Sequence, residues 1–312
     1  MLPFRLVYHE RYDLHFGDHV FPSRKFKWLH DRLLRTGFAV AADFVVPAPA
    51  TDEDLALAHD RAWIEKLASA TLSYQEALQL EVPYSRHLVE GFWLAAGGST
   101  LAARLAIEDG IGFNVGGGFH HAHRDHGEGF CAINDIAVAV RCAQRDGLAA
   151  RAMVVDCDVH HGNGTAAIFA GDASVFTLSI HQLNNYPALK PPSSLDIDLA
   201  DGVADDEYLE RLGDRYLPAL EAFRPELIVY VAGADPYCDD QLGGLSLSLA
   251  GLRERDRLVI HGALEAGVPV AIVLAGGYAQ HVEDTVVIHA NTAEVAKEEL
   301  EKVGYRRCGA GR

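Results

Sequence analysis

Cysteine is scarce in this sequence, and no pair has the CxxC spacing of a zinc or redox motif. Five cysteines, an odd number, are scattered over 312 residues. This usage argues against a disulfide framework and against a thiolate zinc site, and it fits a reducing compartment. We therefore predict a cytoplasmic protein whose cysteines take no part in its function.

Long apolar segments and positive charges are also lacking. No run of 18 apolar residues occurs, and the first residues, MLPFRLVYHERYD, have neither the basic nor the apolar region of a signal peptide. Lys and Arg number 27 against 44 Asp and Glu, a formal net charge of −17. This balance argues against binding to nucleic acid or to anionic membranes and favours cationic partners. We expect no membrane span and no nucleic-acid partner.

At 49% hydrophobic residues, the chain is long and apolar enough to bury a sizeable core. Short apolar runs alternate with helix-like stretches, which predicts buried parallel strands joined by helices. The predicted strands are RLVYH, FAVAADFVVP, IGFNVGG, RAMVVDCD, VFTLSIH, ELIVYVAGAD and VPVAIVLAGG. The helix-like stretches include DEDLALAHDRAWIEKLASA, NDIAVAVRCAQRDG, DDEYLERLGDRYLPALEAF and LAGLRERDRLVIHGALEAG. No linker or repeat divides the chain, so we predict one α/β domain over residues 1–305, a mostly parallel sheet with helices on both faces, and a frayed tail over 306–312.

Two aspartates and a histidine at predicted strand ends form a candidate metal site. Asp158 and His160 lie two residues apart in VVDCDVHHGNG, so on an extended segment their side chains share one face and could hold one ion. Asp235 ends another predicted strand, and the carboxyl ends of parallel strands meet at one edge of a sheet. Two carboxylates and one imidazole suit a catalytic divalent ion; zinc is the first choice, with Fe²⁺ or Co²⁺ as alternatives. The competing interpretation is that the aspartates only cap strand ends and turns.

Two adjacent histidines in the glycine-rich segment GGFHHAHRDHGEGF could supply the proton chemistry that such an ion needs. A divalent ion polarises a carbonyl and acidifies water, which makes hydrolysis the natural reaction. One of His120 and His121 could accept the proton from water while the other stabilises charge and assists a leaving amine. Asp156 and Asn163 could fix their tautomers; an Asp partner favours the imidazolium, whereas an Asn partner leaves a histidine more easily neutral. Tyr278, after the glycine pair of LAGGY, could donate a hydrogen bond to the developing oxyanion.

In order and spacing, these motifs resemble those of the histone deacetylase family. The matching segments are GGFHHA, GEGFC, DCDVHHGNG, AGADP and AGGY, and the resemblance runs from about residue 5 to 290. It implies the arginase-deacetylase fold and zinc-dependent hydrolysis of acyl-lysine or a related acyl-amine. The residues that it assigns are the zinc ligands Asp158, His160 and Asp235, the histidine pair His120 and His121, their partners Asp156 and an uncharged Asn163, and the oxyanion donor Tyr278.

Finer features of the resemblance concern the substrate and a second ion. Segments such as PATDEDLALAHDRAWIEKL and DQLGGLSLSLAGLRERD are most similar to the class IV branch, which implies longer acyl groups alongside acetyl. Gly129, Phe130, Tyr186 and Leu242 match positions that line the family's acyl-lysine tunnel, although core packing is the ordinary alternative for such residues. The family also binds a structural potassium ion, and the positions this implies are Asp156, Asp158, His160, Ser179 and Ile180.

Several other polar residues have a plainer interpretation. We expect His123 and His126 to be hydrogen-bond donors of a loop or rim residues rather than ligands, because three ligands are already assigned. We expect Asp239 and Asp240 to form a solvated acidic loop. The stretch EVPYSRHLVE offers no equivalent of the rim acid with which some members of the family grip the substrate backbone.

Three functional hypotheses follow from these observations. The first is a zinc-dependent deacylase that acts on acylated lysines of proteins or peptides. The second keeps the chemistry but takes an acylated polyamine, which the charge of −17 permits. The third is a module that binds acyl-lysine without turning it over, against which the intact pair His120 and His121 and Tyr278 argue. Composition and motifs leave the oligomeric state undetermined.

Overall fold

Eight short segments form one parallel sheet in residues 1–304, the part of the chain that the computed structural model describes. They are β1 (Arg5–Val7), β2 (Phe44–Val45), β3 (Ile111–Asn114), β4 (Ala152–Asp156), β5 (Val175–Gln182), β6 (Leu195–Leu199), β7 (Leu227–Val231) and β8 (Val270–Val273). Across the sheet the order is β2-β1-β3-β8-β7-β4-β5-β6, and all neighbouring pairs are parallel. The predicted single α/β domain with a parallel sheet is confirmed. The predicted boundary at 305 and the tail 306–312 lie outside the described residues.

The central strands are more apolar than the edge strands. β7, with the sequence LIVYV, and β8, with VAIV, are buried along their whole length, as parallel strands between two helical layers must be. Burial of one Val, Ile or Leu side chain stabilises the fold by about 1.5–3 kcal/mol, so the middle of the sheet contributes most. At one edge, β6 (LDIDL) alternates more and less buried residues, and the sequence analysis missed it because it sought unbroken apolar runs. At the other edge, only Phe44–Val45 of the predicted strand FAVAADFVVP pairs with a neighbour.

Ten α-helices lie between and beside the strands of the described range. They are α1 (Lys25–Arg35), α2 (Asp52–Leu55), α3 (Arg61–Ser69), α4 (Tyr74–Leu80), α5 (Arg86–Asp109), α6 (Asp135–Arg145), α7 (Asn163–Ile168), α8 (Asp205–Phe223), α9 (Leu249–Glu265) and α10 (Val282–Val303). Their contacts divide them into two groups, since α5 packs on α6, whereas α1, α10, α9 and α8 pack on one another in series. Helices on both faces of the sheet account for this division. No described helix is long and apolar enough to cross a membrane.

The stretch DEDLALAHDRAWIEKLASA, predicted as one helix, is broken into α2 and α3. The stretch begins with a capping box, because Thr51 Oγ1 accepts a hydrogen bond from the backbone N–H of Asp54 and the Asp54 carboxylate accepts one from the backbone N–H of Thr51. The helix ends early because the chain between the two halves bonds to other segments instead. The backbone N–H of Asp60 donates to Arg124 O (2.8 Å), and buried His59 accepts from the backbone N–H of Asn134 through Nε2 (2.9 Å). Tertiary hydrogen bonds thus replace helical ones beside the loop that carries the adjacent histidines.

Candidate active site

The polar residues that the sequence analysis singled out gather at the carboxyl edge of the sheet, as expected. β4 ends at Asp156, and the next residues form a loop that contacts the loops after β7 and β8. The backbone N–H of Val159 donates to Asp235 Oδ1 (2.9 Å), and that of Gly276 donates to Asp158 Oδ2 (2.8 Å). The extended conformation expected after Asp156 is therefore wrong, because the chain bends at residues 158–160. The ligand atoms converge through the loop rather than through strand alternation.

Asp158, His160 and Asp235 form a buried cluster of two carboxylates and one imidazole. Nδ1 of His160 lies 3.0 Å from Oδ1 of Asp158 and 3.3 Å from Oδ2 of Asp235, and the three ligand atoms lie within 4.8 Å of one another. Asp235 Oδ2 is buried without a hydrogen bond from any described residue. Two buried carboxylates that face each other repel and need a positive charge between them. This donor set fits a divalent cation, and its nitrogen and oxygen ligands suit zinc.

The pKa values of the cluster also indicate that it favours a bound positive charge. Burial raises the pKa of Asp235 to about 7, and the neighbouring Asp158 carboxylate adds to the rise. For His160, burial lowers the pKa, but the hydrogen bond with Asp158 and the negative charge of the nearby Asp235 outweigh it and raise the pKa to about 10. Without a metal ion, the two carboxylates thus hold a proton on His160 tightly. A divalent ion would supply more positive charge than that proton.

A glycine of the AGGY segment lets the backbone approach these carboxylates. A Cβ at Gly276 would lie 1.9 Å from Oδ2 of Asp235 and 2.6 Å from Oδ2 of Asp158, far inside van der Waals contact. Any larger residue would push the carboxylates apart. The first glycine of the pair therefore shapes the cluster.

The adjacent histidines lie beside the cluster and are both buried. Nδ1 of His120 is 2.7 Å from Oδ2 of Asp156, and Nδ1 of His121 is 2.7 Å from Oδ1 of Asn163. The two Nε2 atoms lie 3.1 Å apart. Both predicted partners, Asp156 and Asn163, are thus in contact with their expected histidine. An imidazolium at His120 can donate from Nδ1 to Asp156, and a neutral His121 can donate from Nδ1 to Asn163, which leaves Nε2 of His121 unprotonated.

The pKa shifts of the two histidines have opposite signs. Burial lowers the pKa of His120, but the Asp156 and Asp158 carboxylates outweigh it and raise the pKa to about 9. Burial lowers the pKa of His121 well below its usual value, and repulsion from His120 and His160 lowers it further. The pair therefore holds one positive charge, on His120.

Two residues that the sequence analysis did not single out hold the histidine loop in place. Asp135 is buried at the start of α6 and accepts backbone N–H bonds from Gly118 and Phe119 (2.7 Å for the latter). The side chain of Asn134 caps α6 and donates to the carbonyl oxygens of His120 (3.3 Å) and Ala122 (3.2 Å). The Asn-Asp pair before an apolar helical pattern is a capping signal, and it could have identified both residues.

Tyr278 is anchored by an aspartate for which the sequence analysis gave a wrong interpretation. Asp240 is 9% exposed and accepts the backbone N–H of Tyr278 (2.7 Å), Leu242 (2.8 Å) and Gly243 (2.9 Å). It is therefore a buried turn residue, and only Asp239 is exposed as expected. Loop carboxylates that bond to backbone N–H groups of a turn lose their solvated character. Burial raises the pKa of Tyr278 well above its usual value, so its hydroxyl keeps its proton.

A buried lysine behind Tyr278 also escaped the sequence analysis. Lys25 is fully buried and donates from Nζ to Ala275 O (2.7 Å), just before the glycine pair. Its ammonium group lies over the rings of Phe21 (4.8 Å) and Tyr278 (5.7 Å). Burial lowers the pKa of Lys25 to about 8, against the attraction of Asp235 and Asp158. No sequence motif marks this lysine, since its role depends on a contact with a residue 250 positions away.

One cavity leads from the surface to His121, His160 and Tyr278. All four residues predicted to line the substrate tunnel, Gly129, Phe130, Tyr186 and Leu242, line it. Glu81 lies on the same wall, although the stretch EVPYSRHLVE was expected to offer no rim acid. Burial raises the pKa of Glu81, with Glu128 adding to the rise. The remaining lining residues are His121, His160, Asn185 and Tyr278.

The five residues implied for potassium lie together where β4 runs beside β5. Asp156 is paired with Ser179 in the ladder, and Ile180 follows on the same strand. All five are buried, and Ser179 Oγ lies 3.0 Å from Nδ1 of His181. Potassium binding at Asp156, Asp158, His160, Ser179 and Ile180 stays a prediction.

Comparisons with known proteins show which family the chain belongs to. The model of the histone deacetylase domain matches residues 19–293. The chain is 39% identical over 296 residues to an uncharacterized protein of Picosynechococcus, covering 95% of this chain and 99% of that protein. It is 32% identical over 286 residues to histone deacetylase 2 of Arabidopsis thaliana, covering 88% of this chain and 74% of that protein.

Solved structures show the same architecture. The HD domain of HDA15 superposes with a TM-score of 0.82 at 25% identity, covering 96% of this chain and 93% of the other. An acetylpolyamine aminohydrolase of Burkholderia pseudomallei superposes with a TM-score of 0.76 at 23% identity, covering 94% and 98%. The fold is therefore the predicted arginase-deacetylase fold. The chain belongs to the histone deacetylase family, and the deacetylase or amidohydrolase class of hydrolases is the function this membership supports.

Proposed function

We propose that the protein is a zinc-dependent amidohydrolase that removes acyl groups from lysine side chains of proteins or peptides. One observation carries this proposal: a single cavity has on its wall a member of each predicted group. His160 belongs to the metal cluster, His121 to the histidine pair, and Tyr278 is the predicted oxyanion donor. An acyl-lysine that entered this cavity would meet all three at its scissile amide.

Zinc would be held by Asp158, His160 and Asp235, with Fe²⁺ or Co²⁺ as alternatives for the same donors. A zinc ion in such a site polarises the substrate carbonyl and acidifies water. The orphaned Oδ2 of Asp235 and the facing Asp158 carboxylate support this assignment. An Asp158→Ala variant should lose zinc, and a normal zinc content in that variant would contradict the ligand scheme.

The two histidines would divide the proton chemistry between them. His121 is neutral and donates from Nδ1 to Asn163, so its Nε2 can accept the proton of the attacking water and later pass it to the leaving amine. His120 is charged against Asp156 and would stabilise the negative charge that develops in the transition state. Their 3.1 Å contact lets the charge of one respond to the protonation of the other.

Tyr278 would donate a hydrogen bond from its hydroxyl group to the oxygen of the polarised carbonyl. Its proton is retained because burial raises the pKa, and Asp240 fixes its backbone. Such donors act mainly in the transition state. A Tyr278→Phe variant should therefore keep its zinc and lose most of its turnover, whereas loss of zinc would contradict this role.

The cavity wall supports an acyl-lysine substrate. Phe130 and Tyr186 offer aromatic faces to the lysine methylenes, and Glu81 at the same wall could accept a backbone N–H of the peptide. Similarity to the class IV branch favours longer acyl groups alongside acetyl. An acylated polyamine is the alternative substrate, favoured by the acidic Glu81 and the net charge of −17.

The deciding experiment compares acetyl-, octanoyl- and myristoyl-lysine peptides with acetylspermidine, using the zinc-reconstituted protein. His121→Ala serves as the blank. Acyl release from peptides well above that blank supports the proposal, and a preference for the long chains supports the class IV assignment. Faster turnover of acetylspermidine would assign the protein to polyamines instead. No release from any substrate, or equal release by His121→Ala, would overturn the proposed catalysis and favour the binding module.

A further inference from the structure

The backbone ladder between β4 and β7 stops just before the segments that carry the metal cluster. Its last pair is Asp156 and Val231, and one further backbone bond, from the N–H of Cys157 to Val231 O (3.0 Å), follows it. Residues 157–160 and 232–235, the ligand segments, come directly after these strands and carry the three clustered side chains. A metal site needs its ligands at fixed positions, so the connections between the ligand segments decide its geometry.

Besides the bond from Val159 to Asp235, one arginine side chain makes such a connection. Nη1 of Arg255, a residue of α9, donates to Gly233 O (2.6 Å) and to Cys157 O (3.2 Å). A single nitrogen therefore joins both ligand segments at the point where the ladder has ended. The guanidinium group is planar and rigid, so it holds its two acceptors at a fixed separation.

The guanidinium plane is itself fixed from its other side. Nε (3.1 Å) and Nη2 (2.8 Å) of Arg255 donate to Oδ1 of Asp256. The hydroxyl groups of Tyr230 and Thr292 donate to the same carboxylate, each at 2.6 Å, and all four side chains are fully buried. Asp256 thus neutralises the guanidinium group. Arg255 therefore brings hydrogen bonds to the ligand segments without a net positive charge that would repel a metal ion.

The backbone that Arg255 holds lies against both carboxylate ligands. A Cβ at Gly233 would lie 2.6 Å from Oδ2 of Asp158 and 2.9 Å from Oδ1 of Asp235. Because this backbone is in contact with both side chains, its position bears directly on the separation of their oxygen atoms. The bond to Gly233 O thus reaches the metal cluster through one residue.

Stability of the fold alone does not account for this arrangement. Replacing a buried ion pair by apolar side chains of similar volume is often neutral or even stabilising, so a buried pair is weak evidence for a role in stability. An apolar side chain in place of Arg255 would, however, deprive Cys157 O and Gly233 O of their shared donor. The two carbonyl oxygens therefore point to a role at the ligand segments.

We propose that Arg255 is a positioning residue of the metal site, which fixes the separation of Asp158 and Asp235 by holding the two ligand segments together. It would touch neither the ion nor the substrate. Partners that orient metal ligands typically contribute about 10- to 100-fold to metal affinity, and we expect a contribution of this size from Arg255. The inference rests on the metal site of the proposed function.

Zinc affinity, measured by competition with a chelator, tests the inference without an activity assay. Arg255→Met removes both bonds, so its zinc dissociation constant should rise by about 10- to 100-fold. The visible absorption of the cobalt-loaded variant should also change, because it reports the geometry of the ligands. Tyr216→Phe is the matched control, since it removes a buried hydrogen bond to Val259 O of the same helix (3.0 Å) and none to the ligand segments. It should lower the melting temperature of the metal-free protein and leave zinc affinity and the cobalt spectrum unchanged.

Arg255→Lys keeps the buried charge and is the variant to use if Arg255→Met does not fold. An ammonium group cannot make the forked bonds to Asp256 and reach both carbonyl oxygens, so zinc affinity should fall here as well. Wild-type zinc affinity in the folded Arg255 variants would overturn the inference and leave the proposed function standing. Equal loss of affinity in Tyr216→Phe would also overturn it, because stability of α9 would then explain the effect. If the wild type binds no divalent ion, the metal site of the proposed function fails, and this inference fails with it.

Discussion

His120 and His121 are adjacent in the chain and have ring centroids only 4.1 Å apart, yet they differ in charge. The difference comes from the group on Nδ1. Asp156 ends a buried strand and places a carboxylate on His120, whereas Asn163 begins a short helix and places a neutral amide on His121. The two neighbouring histidines, both buried, thus differ in protonation because their partners lie on two different structural elements.

The comparison teaches that the partner, more than burial, decides the charge of these imidazoles. Burial disfavours the charged form of both rings, because both are almost inaccessible to solvent. Only His120 has a carboxylate hydrogen-bonded to its ring, and that carboxylate offsets the cost. A base and a positive charge can therefore lie side by side, which general-base catalysis with electrostatic stabilisation requires.

The largest effect that separates the two histidines is expected on turnover. His121→Ala removes the base and should reduce turnover by about 10³- to 10⁴-fold, the upper part of the range for general acid–base catalysis. His120→Ala removes only a stabilising charge and should cost about 10²-fold. The measurement is turnover of an acyl-lysine peptide, with zinc content as the control. Equal losses of turnover would contradict the assignment of the base to His121 and of the stabilising charge to His120.

Stability should depend on pH with opposite signs for the two histidines. The pKa of His120 is about 9 in the folded chain and about 6.5 when unfolded, so its stabilisation is complete below pH 6.5 and lost as pH rises towards 9. The shift corresponds to about 3 kcal/mol of unfolding free energy. The pKa of His121 is lowered, so its contribution is present above pH 6.5 and lost as pH falls.

Denaturant unfolding of the chelator-treated protein measures these contributions. The difference in unfolding free energy between wild type and His120→Asn should shrink from pH 6.5 to 9. The difference between wild type and His121→Asn should instead shrink below pH 6.5. Two differences that vary with pH in the same direction would refute the assignment of charge to His120.

Asp156→Asn gives both histidines an amide partner and should reduce turnover by about 10- to 10²-fold. Without the carboxylate, burial leaves His120 neutral, and its electrostatic contribution to the transition state is lost. Steady-state kinetics should show the loss in kcat rather than in KM, because Asp156 does not line the cavity. If the Asp156→Asn variant binds zinc normally and keeps the wild-type kcat, His120 does not need a positive charge for its role.

The partners of the two histidines, Asp156 and Asn163, were predictable from the sequence because they lie in a short motif with fixed spacing. DCDVHHGNG carries Asp156 and Asn163 at fixed spacing from the ligands, and the alternation of apolar runs and helices predicted the parallel sheet that joins them to Asp235. The central strands were found for the same reason, since they are unbroken apolar runs.

Features that depend on distant contacts were not predictable in this way. Asp240 looks solvated in sequence but is buried by the turn that it holds beneath Tyr278, and Lys25 meets Ala275 across most of the chain. Glu81 reaches the cavity only because the tertiary fold brings its segment there. The break between α2 and α3 likewise comes from bonds to another loop. Each of these follows from packing, which a single sequence does not record.

The smallest effect is expected from Asn163→Asp, which gives both histidines a carboxylate. The new charge should raise the pKa of His121, because an adjacent carboxylate favours the imidazolium. His121 must be neutral to accept a proton, so activity is lost as pH falls through its pKa, and the acid limb of the pH–rate profile should move to higher pH. Turnover at neutral pH should fall by about tenfold, and the profile of kcat against pH measures both.

The neighbourhood of Asn163 supplies the control for this variant. Asn163 Nδ2 donates to Glu128, so a carboxylate at this position would face another carboxylate and repel it. Adding Glu128→Gln removes that repulsion while keeping the new charge on His121, and the acid limb should stay shifted. If the limb returns to its wild-type position in the double variant, the shift came from Glu128 rather than from the partner on Nδ1. If it does not move in either variant, the charge of His121 is set by burial alone, and the contrast between the two histidines has another cause.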